Sequence, residues 1–307
     1  MSEPAPQTPH RLEDLSASFA PLKAIGLMVL AVGFLTVNDG IAKWLSQSVP
    51  IGQIMTLRGL MLIALLLAWS LMRNRPDELK VRAWRPQTVR GLLMVLSTVL
   101  FVTSLSLMPI ADAISLSFAG PLFATAIAAI LLKEKVGWRR WSAVAVGFSG
   151  VLIMLRPTPE LIRLAAFLPV GAAFLGAFRD VMTRKMGTGG ETTVSMLLVS
   201  TFMVVICGLF SLPYGWVEIG WWEVGLFAAS AFLVGLAQGF MIESVKLGQI
   251  GLVGPFKYTS VVWAVIGGIV VWGDVPDIWT WTGATIVIGS GLFIWRRELQ
   301  LARARRS

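Results

Sequence analysis

About ten apolar stretches, each roughly 16–23 residues long, follow one another along this chain with only short connections between them. A helix rises about 1.5 Å per residue, so about 20 residues cross a hydrocarbon core of about 30 Å. The repeated length predicts an all-α integral membrane protein. Its spans are expected at 22–44, 51–72, 88–107, 110–132 and 141–155, then at 162–183, 193–212, 222–242, 250–272 and 278–296. Only 14% of the residues are charged, against about 25% in soluble domains. A transmembrane β-barrel would alternate apolar and polar residues at every second position. Stretches such as "LLMVLSTVLFV" and "ATAIAAILL" do not.

The polar remainder is small. Residues 1–20 form a Pro-rich tail of mixed charge, expected to be unordered, and no short apolar segment with a small-residue cleavage site follows it. Cys207 is the sole cysteine and His10, in the tail, the sole histidine. An internal disulfide and a His- or Cys-based metal centre in the membrane are therefore excluded, and no cofactor is expected.

A net charge of +9 could suggest a nucleic-acid partner, but its placement argues against one. Basic residues collect in alternate connections: Arg73, Arg75, Lys80, Arg82, Arg85 and Arg90 after span two, then Lys133, Lys135, Arg139 and Arg140 after span four. Arg184 and Lys185 follow span six, Lys246 follows span eight, and residues 298–307 make a basic tail. The opposite connections hold none; only the one with Arg156 and Arg163 breaks the pattern. This is the positive-inside bias, with both termini expected in the cytoplasm and anionic lipid as the contact of the basic loops.

The chain also repeats itself. At an offset of 140 residues, "KEKVGWRRWSAVAVGFSGVLIMLR" lies over "GDVPDIWTWTGATIVIGSGLFIWR" without a gap, with Glu134 on Asp274 and Trp141 on Trp281. At 141, "FLTVNDGIAKWL" lies over "FLGAFRDVMTRKM", with Asp39 on Asp180 and Lys43 on Arg184. Two copies are expected, 21–156 and 161–297, each of five spans. An odd number obliges the second copy to enter from the other side. That is the inverted-repeat plan of many secondary transporters, with the substrate site between the halves near mid-membrane.

Ten spans in two copies, an acidic residue after the fourth span of each (Glu134, Asp274), and fifth spans with Gly147 and Gly150 or Gly283, Gly289 and Gly291 resemble the EamA branch of the drug/metabolite transporter superfamily. The resemblance covers about 22 to 296. It implies a secondary carrier for small polar metabolites in a bacterial cytoplasmic membrane, with a cavity lined by spans one, three, four, six, eight and nine. The stretch "PFKYTSVVWAVIGGIVVWGDVPD" is similar to the uptake subgroups for riboflavin or S-adenosylmethionine. Amino-acid, metabolite or drug export stands as an alternative direction.

Each charge at membrane depth calls for a cavity or a partner. Asp39 and Lys43 share a helix face, as do Asp180 and Arg184. One reading is a pair that neutralises itself while the Lys or Arg snorkels to headgroups. In the other, Asp39 and Asp180, preceded by Asn38 and Arg179, hold a substrate cation or carry a coupling proton. Arg58 either closes the outer end of its helix or pairs with a substrate anion or Asp39. Lys257, Tyr258, Thr259 and Ser260 cannot all face lipid, which points to a cavity-facing cluster. Trp263 either stacks on a planar ligand or packs between helices; Gln238 and Glu243 are further candidates, and Asp112 reads as a helix cap. Gly120-Pro121 and Gly254-Pro255 free backbone carbonyls, either as hinges or as static kinks. Gly235-x-x-x-Gly239 and Ala143-x-x-x-Gly147 are expected helix-packing faces.

No phosphate loop, zinc helix or nucleophile elbow is present, which leaves a lipid-modifying membrane enzyme as a remote rival. A channel would need a filter sequence, and a primary pump an ATP site. Both acidic and basic groups border the expected cavity, so a zwitterion or a planar polar metabolite suits it best. No oligomeric state is set by the sequence.

Overall fold

The computed structural model describes residues 9–107, 116–134, 136–155, 166–267, 269–270 and 278–304. Asp112, Arg156, Arg163 and Asp274 fall outside them. The described residues form helices and no strand. In chain order these are α1 (Pro9–Leu45), α2 (Ile51–Met72), α3 (Trp84–Leu107), α4 (Gly120–Leu131), α5 (Trp138–Leu155) and α6 (Phe167–Thr188). They are followed by α7 (Thr193–Leu209), α8 (Trp221–Leu247), α9 (Ile250–Val253), α10 (Thr259–Gly267) and α11 (Ile278–Ala304). By length and composition, five of the described helical stretches can cross a membrane: Ala20–Ala42, Ile51–Met72, Thr193–Tyr214, Trp221–Leu247 and Ile250–Gly267. α1 begins at Pro9, inside the stretch read as an unordered tail, and α11 runs on to Ala304, into the basic tail.

Local chemistry sets the ends. α2 stops at Arg73, after which Asn74 turns to φ 52, a left-handed conformation that Asn tolerates. α7 starts where the Thr192 hydroxyl accepts the Ser195 N–H at 3.0 Å. Pro121 lies in the first turn of α4, where its missing N–H costs nothing. Residues 116–117 are helical and 118–119 form a turn before α4, so Gly120-Pro121 follows an interruption of helix. Gly254-Pro255 does interrupt its helix: α9 ends at Val253, a 3-10 turn runs over Gly254–Tyr258, and α10 resumes at Thr259.

Burial is reversed relative to a water-soluble protein. Large apolar side chains point outward, among them Leu60, Leu96, Phe202, Phe232 and Phe293, all about half exposed or more. Asn38, Gln87, Arg90, Asp180, Ser200 and Ser230 are inside. Such a surface needs lipid as its solvent. At one end Trp69, Trp84 and Trp138 stand outward with the guanidinium groups of Arg73, Arg85 and Arg139 over them at 5.0, 5.4 and 5.6 Å. This is the composition of an interfacial belt.

The major packing runs between the halves. α1 lies on α8 and α3 on α6; α2 lies on α7 and α5 on α11; α4 meets α6, and α1 meets α10. Exchanging the halves exchanges these pairings with one another. The core mixes larger aliphatic side chains with the small residues Ala24, Ala31, Ala124, Ala128, Ala143 and Ala177, which let helix axes come close. Gly150 faces the Gly283 carbonyl and Ile286 across α5 and α11, and Gly59 faces Val205 across α2 and α7. Of the small-residue faces read from the sequence, Gly147 meets Tyr258 and Ser290 and Gly235 meets Leu62. A Cβ at Gly239 would meet nothing within 4 Å, so no close approach there requires glycine.

Hydrogen bonds gather the connections into two groups. Arg82 donates to the Gly190 carbonyl, Thr192 to that of Glu78, and the Ala83 N–H to Glu191. Arg140 donates to Gln249. The connections after α2, α4, α6 and α8 therefore share one end, the basic one. At the other, Gln53 at the start of α2 exchanges two hydrogen bonds with Val217, at 2.7 and 3.0 Å.

Candidate functional site

Where α3, α6, α8 and the broken helix α9–α10 converge, the structure collects charge. Asp180 on α6 is buried, with one carboxylate oxygen accepting from Lys257 Nζ and the other from Arg179 Nη2 at 3.1 Å. Lys257 reaches it because it lies in the 3-10 turn that Gly254-Pro255 imposes, off the regular helical track. Arg90 on α3, 3% exposed, completes the group. Its Nε donates to Thr183 Oγ1 at 2.8 Å, and its Nη1 to the Met196 carbonyl at 2.9 Å and to Ser200 Oγ. Arg90, Arg179, Asp180, Thr183, Gln238, Met241, Ile242 and Val245 line a cavity of about 10 Å³. That is room for about one water, whereas pockets for drug-sized ligands hold about 300–1,000 Å³. A metabolite enters only if the helices part.

Of the residues singled out from the sequence, Arg179, Asp180, Gln238 and Lys257 meet here. Two expectations are corrected, and for Trp263 one of its two readings holds. Asp180 does not pair with Arg184. Arg184 instead meets Glu134 at 3.2 Å and donates to the carbonyls of Val245 and Lys246 at 3.0 and 2.7 Å. Tyr258 does not face the cavity; its ring is fully buried among Phe118, Val151, Val261 and Val287, and its hydroxyl has no partner among the described residues. Trp263 packs: its Nε1 donates to the Val29 carbonyl at 3.2 Å, and a Cβ at Gly33 would lie 3.0 Å from its ring.

The two expected polar stations are also not equivalent. On α1 it is Asn38 that is buried, accepting from Ser230 Oγ of α8 at 2.6 Å, while Asp39 turns outward with the Asn38 amide at 3.4 Å. Arg58, half-buried on α2, acts on Asp39 electrostatically. The side chain of Lys43 lies outside the described residues. Glu243 is engaged near the basic end, with Thr193 and with Lys246 at 3.3 Å.

Arg90 was missed, having been read as one of the loop cations. A signal existed: "TVRGLLM" around Arg90 echoes "TLRGLML" around Arg58, each an Arg set into an apolar run. A second feature is a bolt at the basic end. Glu134, beyond α4, accepts from the backbone N–H groups of Ile250 and Gly251 at 3.2 and 3.3 Å while holding Arg184. One carboxylate thus ties together the end of α4, α6 and the start of α9, and through Arg184 the end of α8.

Comparison with known proteins agrees with this architecture. The family model described as "EamA-like transporter family" matches residues 22–156 and again 163–296. A riboflavin transporter of Vibrio cholerae serotype O1 is 27% identical over 297 residues, covering 95% of this chain and 99% of that one. A riboflavin transporter of Rhizobium johnstonii is 32% identical over 223 residues, 72% of each chain. An S-adenosylmethionine uptake transporter of Rickettsia conorii is 26% identical over 273 residues, 89% of this chain and 92% of that one. A solved crystal structure with 19% identity superposes with a TM-score of 0.74 over 94% of this chain and 99% of its own, which speaks to the fold alone. With two matches that together span nearly all of its apolar sequence, the chain belongs to the EamA-like transporter family.

Proposed function

We propose that this protein is a secondary carrier of ten spans in two inverted copies, with both termini in the cytoplasm of a bacterium. It moves a small polar metabolite through the cytoplasmic membrane by alternating access. The observation that carries the reading is the Arg90–Arg179–Asp180–Lys257 group, buried between helices of both halves around a cavity too small for a metabolite. A buried charge cluster at a helix break is what a rocking carrier needs, because relative movement of the halves opens the cluster to one side at a time. The Glu134–Arg184 bolt closes the basic end in this conformation. Uptake of a planar metabolite such as riboflavin is the preferred assignment, supported by the names of the relatives from Vibrio and Rhizobium. S-adenosylmethionine uptake is the second reading, supported by the Rickettsia relative. The coupling proton is assigned to Asp39, whose carboxylate has the Asn38 amide as its hydrogen-bond partner and Arg58 near it without an ion pair, rather than to Asp180, which two cations hold.

Purified protein in liposomes, loaded with unlabelled riboflavin and offered labelled riboflavin outside, tests the assignment. Counterflow above protein-free vesicles supports it. Counterflow with S-adenosylmethionine alone moves the assignment to the second reading, and modification of a lipid without solute movement replaces the carrier by an enzyme.

A further inference from the structure

The charges around the cavity do not balance. Three cations, Arg90, Arg179 and Lys257, face one carboxylate, Asp180, whose two oxygens are already taken by Lys257 and Arg179. Arg90 is held by neutral oxygens alone: a threonine hydroxyl, a backbone carbonyl and a serine hydroxyl. No carboxylate lies within ion-pair distance of it among the described residues. The nearby acids are committed elsewhere, Glu134 to Arg184, Glu243 to Lys246 and the buried Glu191 to the Ala83 N–H, Gln87 and Ser195, while Asp39 turns away on α1. A guanidinium without a counter-charge in a site of low dielectric is costly. It also presents planar donors suited to the paired oxygens of a carboxylate or phosphate. Thr183 and Gln238 add neutral polar groups to the same wall.

We infer that the cargo is an organic anion, and that its carboxylate or phosphate seats against Arg90 with Arg179 beside it. The inference rests on the carrier reading but departs from its solute assignments: riboflavin is neutral and S-adenosylmethionine carries a net positive charge, so an anionic cargo replaces both. A wholly neutral solute leaves the Arg90 charge uncompensated. A zwitterion gains at its anionic end only, since Asp180 has no free oxygen for an ammonium.

Matched solutes isolate the charge. Riboflavin and riboflavin 5′-phosphate differ by a phosphate, and nicotinamide and nicotinate by a carboxylate in place of an amide. Binding of each to the purified full-length carrier is measured by the shift of its thermal unfolding with concentration. The expected result is that the anionic member of one pair binds on the order of tenfold tighter or more, the worth of a charge-assisted hydrogen bond. The pair that responds tells phosphate from carboxylate. Arg90→Gln should collapse the preference, and Arg90→Lys should keep part of it. Should Arg90→Gln fail to fold, Arg179→Gln carries the same test from a more exposed position. Equal affinity within both pairs, a preference that survives both Gln variants, or no response to any of the four solutes overturns the inference. The carrier reading is judged apart: protein that exchanges riboflavin across liposomes while ignoring the anions loses the inference and keeps the reading.

Discussion

Asp180 shows what neighbouring positions in a sequence can and cannot say. Adjacent Arg179 and Asp180 in an apolar run announce a buried polar station, because neither belongs in lipid alone. The i, i+4 spacing to Arg184 allows a pair without selecting it. Arg184 finds a carboxylate and two carbonyls at the helix end, and Asp180 finds Lys257 from a segment 77 residues away. Removing one partner of a buried pair strands the other, so Asp180→Asn should cost about 3–5 kcal/mol. Thermal unfolding in detergent measures this, and the double variant Asp180→Asn, Lys257→Met should recover part of the loss. An unchanged unfolding temperature in the single variant would show that Asp180 is not a structural ion-pair partner. Asp39 belongs to a separate experiment. Asp39→Asn should insert normally yet lose the pH dependence of uptake, and pH-dependent uptake at wild-type rate would remove it from coupling.

Among the elements, the broken helix α9–α10 and the bolt beside it form one device. Gly254-Pro255 marks the interruption in the sequence, since Pro cannot complete the helical ladder. The same dipeptide at Gly120-Pro121 follows a two-residue turn and lies in the first turn of α4, whereas Gly254-Pro255 opens a 3-10 segment, so the motif marks an interruption without fixing its geometry. The bolt was legible only as an acidic residue after span four, because what Glu134 grips are backbone N–H groups, which no sequence displays. Glu134→Gln should weaken the closure at the basic end. A cysteine at Val245, buried and lining the cavity, in a Cys207→Ser background, should then be alkylated several-fold faster by a polar maleimide applied from that end. Equal rates with and without the substitution would show that Glu134 bolts nothing. The α2–α7 crossing depends on glycine in another way. Gly59 lies against Val205 and Gly208 against Thr56 and the Gly52 carbonyl, so Gly208→Val should destabilise by about 1–3 kcal/mol through overpacking, read in the same unfolding assay.

Across the whole molecule, the duplicated halves are units of sequence and not units of packing. α1 with α8, α3 with α6, α2 with α7 and α5 with α11 all join one half to the other. Residues 1–160 or 161–307 expressed alone should therefore be degraded or aggregate. The two expressed together should reconstitute a carrier that co-purifies through a tag on either piece, and a stable, monodisperse single half would contradict this. The two groups of connections make a second whole-molecule prediction. Cysteines at Lys80 and Lys185 should be labelled from one side of the membrane, and one at Tyr214, 89% exposed, from the other. Labelling of Lys80 and Lys185 from opposite sides would refute the inverted plan.

Apolar length, alternating basic loops and the 140-residue repeat are properties of the chain read along its own axis. They were enough for the helices, the membrane and the duplication, because hydrogen bonding within a helix and transfer into lipid depend on local composition alone. Partner choice is a different kind of quantity. That Arg90 is a buried wall of the site and not a loop cation, that Tyr258 packs while Lys257 reaches the carboxylate, and that Asn38 rather than Asp39 turns inward were decided by the folded structure. Each follows from which helix of the opposite half arrives at that level, and in a low-dielectric interior a charge goes to whichever distant group satisfies it best.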